Sequence, residues 1–143
     1  MTTIDKIFFF AVFAQALFPL VMLVKLFLRR RTAVIKREVS FKYFRSYQGR
    51  DSLPEHLIVH ERHYSNLFEM PVYFIGFGVL VLALDQVDQV LVALAWVYVL
   101  LRLGHSMIHL GSNNINHRAI MFGGSCLVLL MCWFYLAGKI FLL

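Results

Sequence analysis

The chain has 143 residues, 60% of them apolar and 15% aromatic, with a formal net charge of +6. The apolar excess sits in long runs, which excludes an ordinary soluble domain and makes this a membrane protein. The charge is no nucleic-acid footprint. Eight of the fourteen lysines and arginines lie between Arg29 and Arg50, just after an apolar run, where such clusters orient membrane proteins or meet anionic headgroups, and no nucleic-acid recognition motif accompanies them.

The first apolar run, residues 4–28, reads as a membrane span. It is too long for a signal-peptide core, lacks a small-residue cleavage site, and is followed by Arg29-Arg30-Arg31 as in a stop-transfer pattern. Its FFFAVFAQALF stretch fits a lipid-facing or subunit-packing helix at least as well as a lipid-substrate surface. A basic connection follows, with Gly49, Ser52 and Pro54 as breakers. The second span, residues 57–84, is polar in its first half, and Pro71 is expected to kink it. A tight turn at DQVD leads to a third span at 89–110. GSNNINH then stops one helix and starts a fourth span, residues 118–143. Four such spans predict an all-α integral membrane four-helix bundle of up-down topology, forming one transmembrane domain. Lysine and arginine concentrate on the side of the first and third loops, which the positive-inside rule places in the cytoplasm, with both termini opposite.

The polar residues inside these spans carry the functional reading. Arg62, Asn66 and Glu69 fall at i, i+4 and i+7 of a helix and share one face. Arg102, His105 and His109 fall at i, i+3 and i+7, and Tyr98 extends that stripe inward. Arg118 opens the fourth span at the same depth. Such groups are costly in a bilayer unless paired, solvated or used. Three polar faces at one level predict a shared cavity, whose arginines suit carboxylates and whose glutamate suits an ammonium group. A ligand with two carboxylates and one amine would match it. The alternative is an interhelical packing network, Glu69 with Arg102 for instance.

Other features have plainer readings. His56, His60 and His63, with His105 and His109, raise a histidine-ligated metalloenzyme as an alternative. The first three project about a third of a turn from the Arg62 face and lack a matching carboxylate set, so they are read as interfacial histidines and no metal is expected. Gly76, Gly78, Gly123 and Gly124 are expected to allow close helix approach. Tyr73 and Tyr98 are read as aromatic packing. Cys126 and Cys132, six residues apart, face different ways and are taken as buried, inert thiols.

The segment ERHYSNLFEMP resembles the R-x-x-x-N-x-x-E motif of the membrane-associated proteins in eicosanoid and glutathione metabolism, the MAPEG family. The order of spans, the basic first loop, the third-span R-x-x-H and the fourth-span arginine are similar too, and VSFKYFR followed by NLFEMPV looks like the uncharacterised bacterial branch. The resemblance implies a homotrimer in a bacterial inner membrane, with glutathione bound between subunits near the cytoplasmic side and a lipophilic small-molecule substrate entering from the lipid. On it, Arg62, Asn66 and Glu69 would hold glutathione from the second span, and Arg102, His105 and His109 would line the pocket from the third. Arg118 matches the arginine credited with stabilising the glutathione thiolate. One of Arg29, Arg30 and Arg31 would match a first-span arginine. The implied activity is that of a glutathione-dependent transferase or peroxidase; the alternative is a non-catalytic binding or scaffold protein of the same fold. The chain departs from the prostaglandin synthase branch at four places. Ser65 stands for an arginine, His109 for a pocket tyrosine, Ala119 for a serine and Phe122 for a tyrosine.

Overall fold

The computed structural model describes residues 1–46 and 53–142, so Gly49, Arg50 and Ser52 of the basic connection lie outside the described residues. Six helices are present among the described residues: α1 (Thr3–Ile35), α2 (Tyr43–Ser46), α3 (Glu55–Asn66), α4 (Met70–Ala83), α5 (Gln89–Leu110) and α6 (Ile115–Leu142). Four segments are long and apolar enough to cross a membrane: α1, α3 with α4, α5, and α6 up to Phe141. α1 packs against α3, α4 and α5, while α6 packs mainly along α5. The core is built from Phe8, Ala11 and Val12 of α1, Phe74, Phe77 and Val81 of α4, Leu91, Ala95, Tyr98 and Val99 of α5, and Val128, Leu129, Cys132 and Leu136 of α6.

α1 starts at a capping box in which Thr2 accepts from the Asp5 amide and Asp5 reaches back to the Thr2 amide. It runs 33 residues, about 50 Å at 1.5 Å per residue, and so outreaches a hydrocarbon core of about 30 Å. The three arginines are therefore its helical continuation and not a loop. Arginine is a good helix former, and the turn comes only where Arg37 adopts φ 58°. A second cluster, Ala33, Tyr43, Leu53 and Leu57, ties α2 to the ends of α1 and α3.

The second span is two helices rather than one kinked helix. α3 ends at Asn66, Glu69 takes φ −87° and ψ −103°, and α4 restarts with Pro71 in its first turn. Proline has no N–H to give residue 67, and its ring collides with that carbonyl in a continuous helix, so the break falls just ahead of it. Glu69 thus sits in the break and not on the helical face shared by Arg62 and Asn66.

The glycines divide. A Cβ on Gly78 would collide with the Val12 side chain, so Gly78 permits the approach of α4 to α1, whereas Gly76 and Gly123 have nothing within 4 Å. Tyr98 stacks on Phe74 with ring centroids 4.1 Å apart, and Tyr73 is exposed. Both cysteines are free, Cys132 buried and Cys126 half-buried.

The far end of the bundle, away from the basic loops, is tied by Asp88. Its carboxylate caps α5 by accepting from the Leu91 amide at 2.9 Å, and accepts from Tyr135 at 3.0 Å and Lys139 at 2.8 Å. Burial alone would push this carboxyl up, but the hydrogen bonds from Lys139, Leu91 and Tyr135 outweigh it and hold Asp88 below the usual aspartate value.

Candidate functional site

A cleft of about 450 Å³ opens at the basic end of the bundle. Arg62, Ser65, Asn66 and Glu69 form one wall, His105 and His109 the floor, and Ile115, Arg118, Ala119 and Phe122 the other wall. The volume lies in the roughly 300–1,000 Å³ range of small-molecule sites. Three separate segments thus bring their polar residues to one place.

Arg102 stands behind this cleft and is not part of its lining. It is 0% exposed, and its Nη2 donates to the Asn66 main-chain carbonyl at 3.3 Å and to Asn66 Oδ1 at 2.7 Å. With its amide oxygen so held, Asn66 turns its Nδ2 to donate to Glu69 Oε2 at 3.1 Å. The guanidinium also lies over the Phe122 ring, 5.5 Å from its centroid, a cation–π contact joining α5 to α6. Arg102 therefore orients the carboxylate through an amide, and no direct Glu69–Arg102 ion pair forms. The ion pairs among the described residues are Arg30–Glu61, His56–Glu38 and Lys139–Asp88, none of them in the cleft.

Arg118 is fixed from both sides. Its Nη1 donates to Asn113 Oδ1 at 2.8 Å and faces His109 Nε2 at 3.3 Å. A guanidinium only donates, so His109 Nε2 is the acceptor and a neutral His109 carries its proton on Nδ1. The Arg118 main-chain carbonyl in turn accepts from His105 Nδ1 at 3.1 Å. His105 is thereby held as the Nδ1–H tautomer, leaving Nε2 as a buried lone pair with no partner among the described residues. Asn113 adopts φ 49°, a left-handed conformation that asparagine tolerates better than most residues. Its side chain reaches Arg118 from the turn before α6.

Ile115 lines the cleft without any signal in the sequence that singled it out, and two residues around the cleft escape sequence reasoning as well. One is Asn113, whose role depends on that turn. The other is His63, placed by the sequence with His56 and His60 at the interface. His63 is 1% exposed, and its ring lies edge-on to His109 at 5.4 Å and to Phe18 at 6.4 Å. His109 contacts His105 at 5.7 Å in turn, so three imidazoles run from the cleft floor toward α1. A signal for this was present: His63 lies one turn before Leu67, which is fully buried. The other two histidines diverge. His56 pairs with Glu38 at 3.4 Å and His60 Nδ1 donates to the His56 carbonyl at 2.7 Å. Among the described residues, no group of three or more histidine, cysteine or carboxylate side chains is placed to hold a metal ion. Of the three arginines ending the first span, Arg30 bonds Glu61 at 2.8 Å, and Arg30 and Arg31 line a different cleft.

No curated protein and no solved structure matches the chain. The family model described as the MAPEG family matches residues 8–138, nearly all of it. That match reaches all four membrane-crossing segments and covers every residue of the cleft, and the chain belongs to the MAPEG family of multi-pass integral membrane proteins.

Proposed function

We propose that the cleft binds glutathione and that the protein is a glutathione-dependent transferase or peroxidase acting on a lipophilic electrophile from the bilayer. One observation carries this reading: two guanidinium groups, Arg62 and Arg118, and one carboxylate, Glu69, line a single cleft. Glutathione offers an ammonium group to that carboxylate, and carboxylates and an ionisable thiol to the two guanidinium groups. Glu69, aimed by Asn66 and Arg102, suits the ammonium, and the exposed guanidinium of Arg62 suits a carboxylate. When bound, glutathione supplies a thiol whose ionised form is the nucleophile.

The chain's own residues act on charge and proton. Arg118 cannot give up its proton at neutral pH, so it stabilises an anion beside it and does not serve as base. His105 Nε2 keeps a lone pair that can accept a proton at the cleft floor. Asn113 and His109 hold the Arg118 head in place, while Ile115, Ala119 and Phe122 give the cleft an apolar wall. The reading extends to a homotrimer in a bacterial inner membrane with the first and third loops cytoplasmic. The charge distribution supports the orientation, and the exposed Arg62 and Glu69 support completion of the cleft by a neighbour.

A second reading, binding without turnover, has its own support. Arg118 Nη1 is already engaged by Asn113 and His109, and Ala119 and Phe122 supply no hydroxyl beside it. Ultraviolet thiolate absorbance on mixing with glutathione separates the two. A guanidinium that lowers the thiol pKa by one to two units, about 1.4–2.7 kcal/mol, raises the thiolate fraction about tenfold or more. Arg118→Ala is expected to abolish the band with a modest loss of binding, and Glu69→Ala to cost mainly affinity. Binding with neither thiolate band nor conjugation of an aryl halide would favour the non-catalytic reading. Absence of binding would sink both.

A further inference from the structure

A second cleft, of about 480 Å³, lies at the basic end of α1 and shares no residue with the first. Its walls are mainly apolar, Phe27, Val34, Ile35, Phe41 and Phe44, and it includes Arg30 and Arg31. Across the Phe41–Phe44 ridge a third cleft, of about 430 Å³, adds Lys42 and Arg45. The ridge is anchored, because Tyr43 and Phe44 of α2 pack with Ala33 and Leu57.

Sequence spacing gives these clefts a direction. Leu20, Val24, Phe27, Arg31 and Ile35 follow one another at three- or four-residue steps and so share one face of α1. All five are exposed, Phe27 and Ile35 by 63% and 64%. An apolar stripe thus climbs out of the bilayer and meets a cation one turn beyond Phe27. Among the described residues, Arg31, Lys42 and Arg45 have no carboxylate partner. An occupant must be an anion with a long apolar tail, placed where a helix leaves the membrane. A neutral lipid leaves the cations unmatched, and a free phosphate leaves the stripe uncovered.

We propose that these adjoining clefts form a binding site for one anionic phospholipid. Its phosphate is held by Arg31, Lys42 and Arg45, and an acyl chain lies along the Leu20–Val24–Phe27 stripe. The site is separate from the glutathione cleft and stands whether or not that cleft is catalytic.

The test is thermal unfolding of the full chain, purified in a neutral detergent, with phosphatidylglycerol, phosphatidylcholine or glycerol phosphate added. Phosphatidylglycerol is expected to raise Tm in a saturable way and the other two to leave it unchanged. The double variant Lys42→Gln with Arg45→Gln should bind phosphatidylglycerol on the order of tenfold more weakly, with its unliganded Tm intact. Phe41→Ser, a single change at an exposed position, gives a second reading should the double variant fail to fold, and it should also weaken the response. Equal shifts with phosphatidylcholine, a shift with glycerol phosphate alone, or a full response in both variants would overturn the proposal.

Discussion

At the scale of single residues, His63 poses the sharpest energetic question. Its Nε2 is buried and has no hydrogen-bond partner among the described residues, a situation that costs about 1–3 kcal/mol. His63→Phe keeps a ring against Phe18 and His109 while removing that nitrogen. Thermal stability is therefore expected to hold or to rise by about 1 kcal/mol. A large loss in the same detergent would mean that Nε2 has a partner in the working protein. Among the residues that line the cleft, helical spacing groups Arg62 with Asn66 and His105 with His109, and the start of the fourth span sets Arg118 at their depth, whereas Glu69 joins them from the break through its bond to Asn66. What spacing does not give is who stands behind whom. Arg102 shares its face with His105 and His109, yet its Nη2 is taken up by Asn66, behind the cleft lining. His63 points inward because α1 is there to receive it, and a helical wheel of one segment contains no α1.

At the scale of elements, close approach and end-to-end ties decide stability. Gly78 meets Val12, whose β-branched side chain has little freedom to turn away. Gly78→Ala is expected to destabilise the bundle by about 1–3 kcal/mol, with Gly76→Ala as the matched control that meets nothing. Equal effects at the two positions in thermal unfolding would refute this assignment. Asp88 gives a pH signature. Its folded pKa lies below the ordinary value of about 3.9, so its contribution is present in full above that value and is lost as pH falls through the folded pKa. Acid unfolding of the wild type should steepen there, and Asp88→Asn should be less stable near neutrality and lack that step. The four spans could be read from hydropathy because length and apolar content suffice for them. The division of the second span could not be placed. Pro71 announces a disturbance, but whether a helix bends or stops depends on what receives the freed groups. Here the Asn66 main-chain carbonyl accepts from the Arg102 guanidinium and from the Glu69 amide.

At the scale of the molecule, the two wall charges of the cleft pose a problem for a lone protomer. Arg102, His105 and His109 are buried within one chain, so a single four-helix protomer does house the α5 side of the site. Arg62 and Glu69, by contrast, are exposed on its flank, within a segment that crosses the membrane. A charged side chain facing hydrocarbon at a span's centre costs about 2.5–3.5 kcal/mol on insertion scales, less near its ends. Facing a second copy across the cleft removes the lipid from both residues and encloses whatever the cleft holds. The expected assembly is therefore an oligomer in which each cleft is closed by a neighbour, and the proposed reading makes it a homotrimer. Native mass measurement in mild detergent checks the number directly, and a stable monomer would contradict it. A functional check accompanies it. If a neighbour completes the cleft, glutathione affinity should fall in step with trimer content as the detergent is made harsher, while helix content by circular dichroism stays constant. Full affinity in a helical monomer would show that one chain holds the whole site and that Arg62 and Glu69 are satisfied by ligand and headgroups alone.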